Sequence, residues 1–201
     1  MSKRQSIVEA AREAFLEEGF DAVAMERVAA TANVSKVTVY RHFKDKEALL
    51  EAVMAAHGER AEFGPMGPLP LRVIGLRATL LLVGDRMREF LDRDDIVRIG
   101  RLVASQAERH PELARRYYRS GAEFGLASVA GLLEEAMALG MMPPADPRLA
   151  AERFIALCGG LHDHARSLGV TEALSPEARL AAVTGAVDAF GRIYGPFVGE
   201  G

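Results

Sequence analysis

Residues 35–46, SKVTVYRHFKDK, constrain the fold more than any other stretch of the chain, because they join one short helix to the basic start of the next. Asn33 and Val34 follow a short apolar helix read over residues 27–32, and Asn tolerates the left-handed backbone that a tight turn requires. Ser35 is placed to cap a second helix, whose Val39 and Phe43 lie four residues apart on one inward face. Phe15 and Phe20 are expected in the same core. The opposite side carries Lys36, Val37, Tyr40, Arg41 and Lys44, with Thr38 in the first turn. Cations, a hydroxyl and an aromatic ring are what phosphate contacts and base edges require. Asp45 is expected to cap the next helix, which leaves Lys46 at an N-terminus whose free N–H groups attract a phosphate. Taken singly, Tyr40 packs as well over the first helix, and Lys44, Lys46 and His42 read as surface residues. Together on one helix-turn-helix they point to nucleic acid.

The longer run over residues 7–53, IVEAAREAFLEEGFDAVAMERVAATANVSKVTVYRHFKDKEALLEAV, resembles the N-terminal DNA-binding domain of the TetR/AcrR-type transcriptional regulators. The AA-x-x-F-x-x-x-G-F helix ending, the VA-x-x-A-x-VS turn, the TVYRHF reading helix and the KDKEALL start stand in that family's order and spacing. The resemblance implies that Lys36, Val37, Thr38, Tyr40 and Arg41 face the major groove of a double-stranded, palindromic DNA operator. It also implies that His42, Lys44 and Lys46 contact or approach phosphates. One position departs from the pattern: Ala24 stands where members often carry Thr or Ser, so the second helix lacks a capping hydroxyl.

Composition keeps the basic charge local. The 201 residues carry a net charge of −3 and 49% apolar side chains, with a pI near 6.0, so the chain is globular and no polycation. Between Lys36 and Lys46 four cations (Lys36, Arg41, Lys44, Lys46) face one Asp, a local net of +3, which favours focused contact over indiscriminate coating. A single cysteine, Cys158, fits a reducing cytoplasm and reads as a small core residue. No secretory segment or membrane span is legible, and the expected location is the cytoplasm.

The rest of the chain reads as all-α. The expected organisation is a helix-turn-helix domain with its connecting helix over 1–63, a breaker-rich linker over 64–70 (GPMGPLP), and a helical bundle over 71–201, about nine helices in all. Bundle helices are expected at 71–91, 95–109, 111–139, 147–168 and 176–193, three of them opened by Pro111, Pro147 and Pro176 at the first helical position. Residues 197–201 read as a loose tail. HPELARRYY (110–118) and DPRLAAERF (146–154) also resemble a TetR subgroup, and this implies a bundle that dimerises through its last two helices and holds a small-molecule effector in its middle ones. Independently, Leu149, Phe154, Leu157 and Leu161 on one helix and Leu180, Val187, Phe190 and Ile193 on the next form broad apolar faces that need partners.

Arg101, Tyr117, Phe124, Met137, Phe154 and His162 are the effector-pocket candidates, chosen as soft, aromatic or charged side chains on those helices. His162 and His164, on either side of Asp163, are two residues apart rather than three or four, so one helix face cannot present both imidazoles to a metal. Nucleophile elbows and phosphate loops are missing, so no catalytic, metal or cofactor site is assigned. The expected protein is a homodimeric repressor released from its operator by a small molecule. The rival readings are a ligand-independent dimeric DNA-binding protein and, with less support, a metal-binding helical-bundle enzyme.

Overall fold

A computed structural model of the chain describes residues 2–60 and 71–197. The helices are α1 (Lys3–Glu18), α2 (Met25–Thr31), α3 (Lys36–His42), α4 (Lys46–Arg60), α5 (Leu71–Leu91), α6 (Asp94–Gln106), α7 (Pro111–Tyr118), α8 (Phe124–Ala138), α9 (Pro147–Leu168) and α10 (Pro176–Tyr194). A π-helical turn, Arg119–Glu123, carries α7 into α8 without a break. Counted as one helical run, α7 and α8 bring the described total to the nine expected, and no strand occurs among the described residues. The expected linker and the last four residues of the expected tail lie outside the described residues.

Local chemistry explains where the helices begin. Ser2 and Gln5 form a reciprocal capping box at α1, with Gln5 N donating to Ser2 Oγ (3.2 Å) and Ser2 N to Gln5 Oε1 (2.8 Å). Asp146 and Ser175 accept from Leu149 N (2.9 Å) and Ala178 N (3.2 Å), each ahead of a proline whose missing N–H costs nothing there. Two long helices are interrupted inside by glycine. Gly75 in α5 (φ 79°, ψ 170°) and Gly160 in α9 (φ 55°, ψ −138°) adopt backbone that a side chain would strain, and the periodicity of the sequence does not reveal either break.

The chain divides into two compact units, Met1–Glu62 with Arg98–Ser120, and Phe63–Val97 with Gly121–Gly201. The first contains more than the helix-turn-helix. Ile99 and Val103 of α6 and Leu113 of α7 are buried in one cluster with Ile7, Phe15, Val39 and Leu50. Three arginines add polar ties there: Arg98 to Leu16 O (2.8 Å), Arg109 to Asp21 (3.1 Å) and Arg116 to Glu51 (3.0 Å). The HPELARRYY segment, expected in the bundle, therefore packs with the N-terminal helices.

The second unit is built on α5, α8, α9 and α10 around Leu80, Val83, Leu133, Phe154, Val187 and Phe190. Phe154 and Phe190 meet edge to face, with centroids 5.6 Å apart. Phe197 corrects the expectation of a tail that starts there, because its ring is buried against Phe190 and leaves little room beside Gly191. The Cys158 thiol is buried too, and burial pushes its pKa up to about 12, so it is held protonated as a core residue.

A charged network threads this apolar unit. Arg88 is fully buried and donates from Nη2 to Asp92 Oδ1 (2.8 Å) and from Nη1 to Asp163, whose carboxylate folds back over Gly159 where a Cβ has no space. Asp92 also accepts from His162 Nε2 (2.8 Å) and Leu174 N (3.3 Å). Arg166 reaches Asp92 O (2.8 Å), Asp94 (2.7 Å) and Thr171 O (3.2 Å). One carboxylate thus ties the end of α5 to α9 and to the α9–α10 connection. Asp92→Ala leaves the buried Arg88 guanidinium with Asp163 as its remaining acidic partner and removes the acceptor of His162 and Leu174 N, and is expected to cost about 3–5 kcal/mol in denaturant unfolding. His162→Ala, at the wetter edge of the network, is expected to cost clearly less, and equal losses would mean that the network is not centred on Asp92.

Candidate nucleic-acid interface

The turn between α2 and α3 forms as its residues dictate. Asn33 takes a left-handed conformation (φ 52°), Val34 N returns to Ala29 O (3.0 Å), and Ser35 Oγ caps α3 by accepting from Thr38 N (3.1 Å). The Ser35 and Thr38 hydroxyls also share a hydrogen bond (2.8 Å). Helix α3 has only seven residues, so it is held by burial rather than by its own ladder. Val39 is fully buried and Phe43 nearly so, whereas Val37 is 76% exposed on the other side.

The exposed side gathers the residues that the sequence singled out. Lys36, Val37, Tyr40, Arg41, His42 and Lys44 are all exposed, and Thr38 is half-buried at the edge. Lys36 Nζ stands 5.7 Å from the centre of the Tyr40 ring. Asp45 caps α4 through Ala48 N (2.8 Å), and Ala24 makes no capping bond at α2.

Lys46 is a correction to the expected phosphate contacts. Its Nζ donates to the backbone oxygens of Phe20 (2.7 Å), Asp21 (3.1 Å) and Val23 (3.0 Å), and lies 4.6 Å from the centre of the Phe20 ring. All three ammonium protons are occupied by carbonyls of the α1–α2 connection. The side chain holds the fold and has no donor left for DNA.

Two residues that sequence reasoning passed over stand beside this face. Arg4 of α1 lies over the Phe43 ring, 5.3 Å from its centre. Glu26 forms an ion pair with Lys36, and that hydrogen bond, with the Lys36 charge, holds the Glu26 carboxyl below its usual pKa and raises that of Lys36. The expected start of the second helix at Arg27 left Glu26 outside it. The helix begins at Met25, which turns Glu26 in its first turn toward the first residue of α3.

The effector candidates are dispersed. Arg101 and Tyr117 belong to the first unit and Phe124, Met137, Phe154 and His162 to the second. Burial raises the Tyr117 phenol pKa, and its hydroxyl lies near Gly100. Phe154 is wholly buried in the core, His162 is engaged by Asp92, Met137 is half-buried against the second core, and Phe124 and Arg101 are exposed. Among the described residues no group of three His, Cys, Asp or Glu side chains is arranged to hold a metal. No described helix is long and apolar enough to cross a membrane.

A capped three-helix unit that buries one side of a seven-residue helix and exposes the other is a helix-turn-helix. Residues 7–53 match the family described as bacterial regulatory proteins, tetR family, and residues 78–196 match the C-terminal domain of AefR-like transcriptional repressors. The chain belongs to the TetR family. A TetR-family transcriptional regulator from Mesorhizobium loti has the same fold, with a TM-score of 0.87 at 28% identity over 96% of this chain and 97% of that one. The flavonoid-responsive regulator FrrA gives a TM-score of 0.82 at 31% identity, again over 96% and 97%. In sequence the chain is 41% identical over 58 residues to the HTH-type transcriptional regulator UidR of Escherichia coli, a match that spans 29% of this chain and 30% of UidR.

Lys46→Ala tests the structural role assigned to that side chain. Loss of a charged donor to three carbonyls is expected to destabilise the chain by about 1–3 kcal/mol in denaturant unfolding. An unchanged unfolding midpoint would return Lys46 to the surface.

Proposed function

We propose that this chain is a dimeric, sequence-specific DNA-binding transcriptional regulator, a cytoplasmic repressor that leaves a palindromic operator when a small molecule enters its C-terminal unit. The observation that carries the DNA-binding part is the exposed side of α3. Val37, Tyr40 and Arg41 project from a helix whose other side is locked by Val39 and Phe43. Arg41 offers a planar fork of donors for guanine, Val37 an apolar contact for a thymine methyl, and Thr38 a hydroxyl for either base edge. His42 and Lys44 stand at the end of α3 for the phosphates that fix register.

Dimerisation is supported by the outward faces of α9 and α10. Their inward residues Ala150, Phe154, Cys158, Val183, Val187 and Phe190 are consumed by the core, while Leu149, Leu157, Leu161, Leu180 and Ile193 remain exposed, Leu161 at 85%. Such a face gains from burial against a second copy. Two reading helices then fall about 34–36 Å apart, one turn of DNA, and a ligand that changes this spacing releases one half-site. The effector reading draws on the flavonoid-responsive FrrA as a similar regulator. Within the chain, Met137 and Phe124 of α8 are the candidates left after Phe154 and His162 are assigned to the core and the charged network. Arg101 and Tyr117 stay candidates in the first unit.

The test of the reading face is Tyr40→Ala, assayed on the duplex that the wild-type protein enriches from random double-stranded DNA. Affinity is expected to fall about tenfold or more, with the unfolding midpoint and the sedimentation of the dimer unchanged. Wild-type affinity in the variant would remove α3 from the interface.

A further inference from the structure

Glu26 places a carboxylate on the one face of the molecule where a polyanion is to be met, and that face is otherwise cationic. The pair it makes with Lys36 is exposed to solvent, so it contributes little to stability. Near DNA it has a different consequence. Lys36 is the first residue of α3, its ammonium lies against the Tyr40 ring, and its charge is cancelled as long as Glu26 holds it. Arg41 and Lys44 make no ion pair among the described residues, so the masking falls on one cation only.

We infer that Glu26 is a specificity-determining residue of the DNA-reading surface, which withholds Lys36 from phosphates and, while still holding it, orients it toward the paired acceptors of a guanine edge. The inference rests on the DNA-binding reading and goes beyond it. A phosphate oxygen that approaches Lys36 is brought close to the Glu26 carboxylate, anion against anion, so an unmatched sequence gains little from this lysine. Guanine O6 and N7 are neutral acceptors, and an ammonium has three protons. At a matched sequence Lys36 can therefore keep Glu26 on one proton while the others point at the base. The carboxylate acts as a positioning residue: it orients Lys36 toward base edges and makes the backbone a poor substitute.

The experiment compares the wild-type chain with Glu26→Gln on two duplexes, the one that the wild type enriches from random DNA and a scrambled version of it, each across a salt series. Both side chains are exposed, so the variant is expected to unfold at the wild-type midpoint. On the scrambled duplex the variant is expected to bind more tightly, by up to about eightfold at 0.1 M salt, with a log–log salt slope steeper by about 0.9, the value of one further phosphate neutralised. The ratio of matched to scrambled affinity falls accordingly. Adding Lys36→Ala to Glu26→Gln is expected to cancel the gain, which ties it to this lysine rather than to net charge. An unchanged slope and ratio, or a gain that survives Lys36→Ala, would overturn the inference while leaving the DNA-binding reading intact. A wild-type chain that binds neither duplex would overturn that reading, and the inference with it.

Discussion

The Lys46 ammonium is the interaction on which the N-terminal unit depends. At the end of α1 and in the connection to α2, the carbonyls of Phe20, Asp21 and Val23 accept from this one side chain. Carbonyls in such a position need donors from somewhere, and one cation supplies three at once. The start of α4 is thereby fixed against the end of α1, and α3 is suspended between two anchored segments. A seven-residue helix has little stability of its own, so its orientation follows from that frame and from the burial of Val39 and Phe43. The exposure of Val37, Tyr40 and Arg41 is a result of the same geometry.

The second unit solves a different problem with the same economy. Its core is apolar, yet Asp92 gathers Arg88, His162 and the backbone of Leu174 at one point, while Arg166 fastens the adjoining turn. Buried charges of this kind contribute less to stability than to geometry: they accept only one arrangement of α5, α9 and the connection that follows α9. Helix α9 is held there by its inner side and by this network, which leaves its leucines outward. The rigid placement of an apolar face is what association with another copy requires.

Much of this was legible in the sequence because it is local. The caps at Ser35, Asp45, Asp146 and Ser175, the turn at Asn33, the inward pair Val39 and Phe43, and the proline starts are each decided within four residues. Features that depend on distant partners were not legible. Lys46 meets carbonyls 23 to 26 residues away, and nothing near it distinguishes that role from a phosphate contact. Glu26 was missed because Ala24 offers no capping side chain to mark where α2 begins. The return of α6 and α7 to the first unit rests on Ile99, Val103 and Leu113, whose spacing suits any core. Phe154 reads as a pocket aromatic from its composition alone and proves to be a core residue once Phe190 is seen against it.

The measurement that tests the account most directly is amide hydrogen exchange of the full chain, free and bound to its enriched duplex. Exchange reports the opening of each segment separately, so contact with DNA can be placed on particular helices. Slowed exchange in α3, in the turn at Asn33–Ser35 and in the first turns of α1 and α2 is the expected result. Slowing confined to other helices, with α3 exchanging as in the free protein, would contradict the claim that this surface reads DNA.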